Sequence, residues 1–480
     1  MYRAKQFVIA GITIALVSSV ANAQNWYNEY KPLAQVNSRL DEMIDQHSDL
    51  VTPLVIGQSV EGRDIRAIKI RGAGGDPNEV RPAVFINGTQ HAREWISPMT
   101  TMYAADTLLD MYGTDSGIRD LLDQVDVYVA PMVNPDGYLY SWTTDRFWRK
   151  NRRRNGFGSF GVDLNRNWDY GWGGNDGSSN NPDSNIYRGT APFSEPETQA
   201  VRDFYYDNQN IVSNIDFHSY SQLILYPFGF SADVQAEDDE VMRRLAIEMS
   251  DSVEAVHGVF YDPVSASDLY IASGVSIDWS YGDQKVYSYT IELRPDSFFP
   301  GFELPADEII PTSEEAFASV LDLIEFTHQI NNGDFDYDGD YDCTDLELLG
   351  DAVINGTDKA EFDVNGDGLV TAADTGAWLV NAGEEMLPGG GAFLPGDANI
   401  DGRVEVADIK PWNASKFSAG SWCNGDFDTN GQVDVSDYNL WNSRKFTSSD
   451  AAAVVPEPAA IALLLPGLFL LVMMRRNAAN

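Results

Sequence analysis

The stretch Ala83-Val84-Phe85-Ile86-Asn87-Gly88-Thr89-Gln90-His91-Ala92-Arg93-Glu94 joins an unbroken apolar run to a His-x-x-Glu turn. A short run of this kind fits a strand buried on both faces. Three more segments, alternating as well as continuous in their apolar residues, Val125–Pro131, Ile211–Phe217 and Val286–Leu293, predict companion strands. Between them, Val241, Leu245, Met249, Val253 and Val256 follow helical spacing, and Thr312 with Glu315 reads as a capping box ahead of Phe317, Val320, Leu321 and Ile324. Strands alternating with helices predict an α/β domain with a mixed, mostly buried sheet flanked by helices.

Only five histidines occur in the chain. His91 and Glu94, three residues apart on one turn, share a face and can hold a metal ion. His218, directly after the Ile211–Phe217 run, offers a third ligand at another strand end. His47, His257 and His328 lie in polar or amphipathic helical contexts and read as surface or satisfied histidines. Two nitrogens and one carboxylate leave a fourth position on zinc for water. Glu292 sits at the end of an apolar strand, where desolvation raises a carboxyl pKa and suits it to shuttling a proton.

At 480 residues the chain is too long for one core, and 43% hydrophobic with 12% aromatic residues excludes wholesale disorder. With 73 acidic against 32 basic residues its net charge is −41, which excludes nucleic acid as a partner. Two cysteines exclude a disulfide-rich scaffold and a Cys-ligated metal site. The acid is unevenly spread. Residues 331–450 hold 24 acidic and 6 basic side chains against 48 and 22 in residues 24–330, so a boundary is expected near Asn331.

The acidic part repeats itself: Asp408-Ile409-Lys410-Pro411-Trp412 returns as Asp437-Tyr438-Asn439-Leu440-Trp441. Each unit opens with an oxygen-rich loop. Asp334, Asp336, Asp338, Asp342 and Asp345 occupy positions 1, 3, 5, 9 and 12 of the first. Asp363, Asn365, Asp367, Thr371 and Asp374 repeat the pattern, as do Asp397, Asn399, Asp401, Glu405 and Asp408, and then Asp426, Asp428, Asn430, Asp434 and Asp437. Such side chains can converge on Ca²⁺, with glycine at position 6 for the turn, which predicts up to four structural calcium ions in small all-α modules. The loops pair as residues 333–385 and 396–447, joined by a Gly/Pro-rich linker at 386–395. They resemble tandem dockerin modules, which implies a cohesin-like docking partner; a purely structural calcium stalk is the alternative. The positions after each ninth residue, beginning with Cys343 and Thr344, are too varied to name a partner.

Residues 1–23 have the order of a secretory signal: Arg3 and Lys5, an apolar run, then Ala21-Asn22-Ala23. Residues 454–480 place Pro456-Glu457-Pro458, an apolar segment and Arg475-Arg476 in sequence, and resemble a PEP-CTERM sorting tail. The resemblance implies export to the cell surface or beyond, with transient or permanent membrane anchoring and a sorting peptidase acting on the tail. A plain C-terminal anchor is the alternative.

Within residues 24–330 the motifs His91-Ala92-Arg93-Glu94-Trp95, Asn134-Pro135-Asp136-Gly137, Phe147-Trp148-Arg149-Lys150, Asp163-Leu164-Asn165-Arg166-Asn167-Trp168, His218-Ser219-Tyr220, Ser276-Ile277-Asp278-Trp279 and Ile291-Glu292-Leu293-Arg294 occur in order. The chain resembles the zinc carboxypeptidases, on their carboxypeptidase A/B side. The resemblance implies one catalytic Zn²⁺ on His91, Glu94 and His218, with Glu292 as general base and acid and Arg149 stabilising the oxyanion. It further implies that Asn165, Arg166 and Tyr270 clamp the terminal carboxylate of a peptide or protein substrate, that Arg93 and Tyr220 serve outer subsites, and that Asp163 orients His91. Ile277 is expected at the floor of the pocket for the terminal side chain, predicting release of apolar and aromatic residues. The family's N-terminal inhibitory segment and its cysteines have no counterpart here, since Tyr27 already matches the mature start. The alternatives are a zinc hydrolase of cell-wall peptides and a non-enzymatic protein that only binds peptide termini.

Overall fold

A computed structural model describes residues 25–74, 80–338, 340–357, 359–387 and 390–449. The expected export signal and sorting tail lie outside these residues. Among the described residues, no helix is long and apolar enough to cross a membrane. The chain divides into two compact units, one running to residue 338 and taking back 358–369, the other comprising 339–357 and the residues from 370 onward.

The first unit is built on eight strands: β1 Val51–Gln58, β2 Asp64–Ile70, β3 Ala83–Gly88, β4 Asp126–Ala130, β5 Ile211–Ser219, β6 Leu223–Tyr226, β7 Asp262–Ser265 and β8 Tyr287–Leu293. Their order across the sheet is β1-β2-β4-β3-β5-β8-β6-β7. The central four, β4, β3, β5 and β8, are parallel to one another, while the β1–β2, β2–β4 and β8–β6 pairs are antiparallel. These four are the strands that the apolar runs predict. Every residue of β3, β4 and β5 is buried, as a parallel strand covered on both faces requires.

Phe85, Tyr128, Leu164, Trp168, Phe204, Tyr205 and Trp279 belong to one largely aromatic hydrophobic core, to which the helices Pro196–Asp207 and Ser276–Gly282 contribute. The helices Ile96–Tyr112, Asp239–His257 and Ile309–Asn332 pack together as a second layer. The last of these corrects one expectation: it starts at Ile309, so Thr312 and Glu315 do not cap it. Thr312 instead donates to the Glu308 carbonyl (2.6 Å), and Glu315 is buried against Arg294 and Tyr261. An S/T-x-x-E pattern inside a helix looks like a cap until a buried arginine takes up the carboxylate.

Charge density also misplaces the boundary. The first unit continues past Asn331 because Tyr337 packs on Phe326 (ring centroids 4.9 Å apart) and Phe335 packs on Phe362 (4.7 Å). In the returning segment, Lys359 pairs with Asp238 (2.8 Å) and Glu361 accepts from Tyr287 Oη (2.9 Å). These contacts tie residues 335–337 and 359–362 to the first unit despite their acidic neighbourhood.

The second unit is mostly helical, with Cys343–Asn355, Ala372–Met386, Ile409–Ser415 and Val435–Arg444, but it also has a two-residue antiparallel ladder between Arg403–Val404 and Thr447–Ser448. It is therefore not purely α. Cys343 and Cys423 form a disulfide, so Cys343 is a crosslink and offers no free thiol to a partner. The described part of the 386–395 stretch packs rather than spans: Phe393 is buried beside Trp378, and its N–H donates to the Leu379 carbonyl (2.8 Å).

Candidate active site

Three neighbouring parallel strands, β3, β5 and β8, end side by side, with Gly88 opposite Phe217 and His218 opposite Glu292. Loops leaving this carboxyl edge collect side chains from distant parts of the sequence. His91 and Glu94 come from the turn after β3, ahead of the helix Ile96–Tyr112, and His218 is the penultimate residue of β5.

The three side chains are buried and converge. His91 Nδ1 lies 2.9 Å from Glu94 Oε1, His218 Nδ1 lies 3.0 Å from Glu94 Oε2, and the two Nδ1 atoms are 3.0 Å apart. Behind them, His91 Nε2 is 3.0 Å from Asp163 and His218 Nε2 is 2.9 Å from Asp216. Each carboxylate accepts a hydrogen bond from the Nε2–H of its histidine, which leaves the Nδ1 lone pair facing inward. Two lone pairs and a carboxylate facing one another at such distances repel unless a cation lies between them. Ligands on a tetrahedral zinc with bonds of about 2.0–2.1 Å would stand about 3.3 Å apart, so an opening of this triangle by a few tenths of an ångström accommodates the ion. The donor set and spacing fit zinc.

The electrostatics separate these groups. Burial opposes the charge on Glu94, yet the two histidines hold its carboxyl well below the usual carboxylate range. Asp163 is likewise held well below that range, because Arg149 and His91 outweigh its burial. Burial and Arg149 lower His91, whereas for His218 the Asp216 and Glu94 charges overcome burial and raise it. Glu292, half-buried, is pushed up to about 7, chiefly by burial.

Arg149 donates to Asp163 from both Nε (3.0 Å) and Nη2 (2.9 Å), and its Nη1 stands 3.9 Å from Glu94. Asp163 thus bridges the histidine and the guanidinium. Arg166 donates to the Gly177 carbonyl (3.1 Å) and from Nη2 to Tyr270 Oη (3.3 Å), which fixes its plane. Asn165 accepts from the Ser276 N–H (2.8 Å). Arg93, Arg149, Arg166 and Tyr270 line one cavity of about 280 Å³, together with Asp176, Gly177, Asn185, Ile186 and Ile271. Three guanidiniums around one small cavity, in a chain of net charge −41, make a site for an anion.

Residues 36–319 match the zinc carboxypeptidase family. The chain is similar to carboxypeptidase A5 of Macaca fascicularis, 37% identical over 304 residues that cover 63% of this chain and 68% of that one. The chain belongs to the zinc carboxypeptidase family. It is also similar to carboxypeptidase B of Astacus astacus, 40% identical over 305 residues covering 62% and 97% of the two chains. Among solved structures, bovine thrombin-activatable fibrinolysis inhibitor in complex with tick carboxypeptidase inhibitor superimposes with a TM-score of 0.58 at 35% identity, covering 63% of this chain and 99% of that one.

The zinc carboxypeptidase unit adds one residue to the sequence reading. Asp216, the partner of His218, is missing from that reading although it stands two residues earlier on the same face of β5. It is held in turn by Gln90 and by Ser276 Oγ (2.8 Å). Ile277, expected at the floor of the pocket for the terminal side chain, is buried with Leu225, Ala266, Ala272 and Val275 in an apolar cluster. Beside it, Asp278 accepts from the Gly229 and Phe230 N–H groups (2.8 and 2.9 Å), and burial pushes its carboxyl up to about 7. Arg93 Cζ stands 4.0 Å from the centroid of the Phe302 ring, which also meets the Tyr220 ring (4.9 Å between centroids).

The calcium-loop residues fall into separate local groups. Asp334, Asp336 and Asp338 cluster in the first unit, and Asp426, Asp428 and Asp437 in the second. In three loops the first carboxylate accepts from the N–H groups at positions 5 and 6: Asp363 from Asp367 and Gly368, Asp397 from Asp401 and Gly402, Asp426 from Asn430 and Gly431. Asp342, Thr371 and Asp434 cap the helices that follow, with Asp345, Asp374 and Asp437 completing capping boxes. Asp408 accepts from the Glu405 and Ala398 N–H groups (2.7 and 3.1 Å). Asp428 Oδ1 is buried without a hydrogen-bond partner inside its cluster.

Proposed function

We propose that this zinc carboxypeptidase is exported and removes single C-terminal residues, preferring apolar and aromatic ones. The observation that carries the reading is the convergence of Arg93, Arg149 and Arg166 on one cavity beside the His91, Glu94, His218 triangle. Arg166, with Asn165 and Tyr270, takes the substrate's terminal carboxylate, and a bidentate guanidinium suits that planar anion. Recognition of a free carboxylate restricts cleavage to the last peptide bond. Zinc on His91, Glu94 and His218 would polarise the scissile carbonyl and acidify a water. Glu292 accepts the water's proton and returns it to the departing amine. Arg149 presents guanidinium donors where the oxyanion develops. Arg93 and Tyr220 hold the chain upstream.

Asp163 has two tasks, orienting His91 and holding Arg149. Asp163→Asn should lower zinc affinity about 10–100-fold, as loss of a ligand's hydrogen-bonded partner does. Competition with a chelator measures it; unchanged affinity would remove Asp163 from the metal's support.

The oxygen-rich loops of residues 333–385 and 396–447 are proposed to be dockerin-like calcium modules that attach the enzyme to a cohesin-like partner, with the tail at 454–480 handled by a sorting peptidase. The buried, unpartnered oxygen of Asp428 beside Asp426 and Asp437 supports a cation there. Calcium should increase the helical circular dichroism signal of the full chain and raise the melting temperature of its acidic part. An identical spectrum and melting curve in excess calcium and in excess chelator would count against it.

A further inference from the structure

Asn151 is fully buried, and both ends of its amide are in use. Its Oδ1 accepts from the Val162 N–H (2.8 Å) and the Arg153 N–H (3.2 Å), while its Nδ2 donates to Glu195 (2.7 Å) and Glu197 (3.1 Å). Its own N–H donates to the Val162 carbonyl (3.0 Å), so two segments of chain are clasped twice at one point. One segment carries Arg149 and the other Asp163, the two side chains that meet through Nε and Nη2 of the guanidinium. The segments lie so close that a Cβ on Gly161, at φ 84°, would stand 2.6 Å from Lys150 Cβ and 2.7 Å from the Asn151 carbonyl oxygen. Behind the clasp, Glu195 and Glu197 are buried at the start of the helix Pro196–Asp207. Glu195 also accepts from Arg153 Nε (2.9 Å) and Ser194 Oγ (2.8 Å), and Glu197 from the Val60 N–H (2.9 Å). An amide that gives its protons to two carboxylates is locked: turned over, its oxygen would face both carboxylates and its NH₂ the Val162 N–H.

We propose that Asn151 is a positioning residue for Arg149: anchored on Glu195 and Glu197, it fixes the segment of Arg149 against that of Asp163 and so sets where the guanidinium meets the developing oxyanion. The inference rests on the oxyanion role proposed for Arg149. Asn151 itself is neither among the residues lining the arginine cavity nor among the three converging ligands, so its effect passes through Arg149. A preorganised donor works only where the charge develops, and a misplaced one costs about tenfold or more in rate. The terminal carboxylate is held elsewhere, by Arg166, so substrate binding is spared.

The test is a double-mutant cycle on the zinc-loaded full-length enzyme, with wild type, Asn151→Ser, Arg149→Ala and the double variant assayed on one N-blocked dipeptide ending in Phe. Asn151→Ser should lower kcat about tenfold, with KM within about twofold and zinc content at the wild-type level. Arg149→Ala should lower kcat about 10²–10³-fold, and adding Asn151→Ser to it should change kcat by less than about twofold, because the group that Asn151 positions is gone. Glu197→Gln keeps the shape of the support and gives up one of its acceptors; it should lower kcat about two- to fivefold and be equally silent in the Arg149→Ala background. A loss that persists undiminished without Arg149, a loss expressed in KM or in zinc content, or an unchanged kcat in both support variants overturns the proposal. Loss of the cooperative melting transition in both variants also overturns it, by assigning Asn151 to the fold. In each of these cases a slow Arg149→Ala enzyme leaves the carboxypeptidase reading standing. An Arg149→Ala enzyme as fast as wild type removes the oxyanion role and this proposal together, and failure of wild type to cleave the dipeptide overturns the reading as a whole.

Discussion

Glu292→Gln should lower kcat by about 10²–10⁴, the range that positioned proton transfer contributes, while zinc content stays at the wild-type level. The side chain keeps its shape and loses only the ability to take a proton. It stands opposite His218 across the β5–β8 ladder but contributes none of the three converging ligand atoms. Its burial at the end of β8 pushes its pKa up to about 7, close to where an effective proton shuttle belongs. Kinetics and metal analysis on the same preparation check this. A loss below about tenfold would assign the base to another residue, and a loss of zinc would place Glu292 among the groups that hold the metal.

The second large effect concerns the released residue. Peptides ending in Phe, Tyr or Leu should be cleaved with kcat/KM at least about 10²-fold above those ending in Lys or Arg. Ile277 belongs to a cluster of Leu225, Ala266, Ala272 and Val275, which offers no charge to a cationic side chain. Leaving an ammonium or guanidinium unpaired in such surroundings costs several kcal/mol. Asp278 is near but committed to the Gly229 and Phe230 N–H groups. The chain's −41 charge attracts basic peptides at long range, but salt screens that field within about 8–10 Å, so the local surroundings prevail. Ile277→Asp should move the ratio toward Arg. A wild-type preference for Arg would remove Ile277 from the specificity pocket.

The central sheet was legible because β3, β4, β5 and β8 are parallel and buried, β3 and β4 reading as nearly continuous apolar runs and β8 as an apolar–polar alternation. β1 was not: its residues are largely exposed and include Pro53 and Gly57, which blurs any pattern. His91 and Glu94 stand out because they share a turn, and His218 because it follows a strand. Asp216 carries a signal of the same kind, two residues before His218, but a polar residue within a buried strand is read as an interruption unless its partner is known. The meeting of Arg93, Arg149 and Arg166 is a property of tertiary structure; no local spacing encodes it, and only the family resemblance links them in the sequence. Composition misled at residue 331 because charge density follows the acidic loops, whereas Phe335, Tyr337 and Phe362 follow the hydrophobic contacts that define the first unit.

The central claim is that the arginine cavity recognises a free terminal carboxylate. Mass spectrometry of the products from one peptide, supplied both as its C-terminal acid and as its C-terminal amide, tests this most directly. The account predicts sequential loss of single residues from the acid, essentially no reaction of the amide, and loss of activity on the acid in Arg166→Ala. Cleavage at internal bonds, or equal rates for acid and amide, would contradict it.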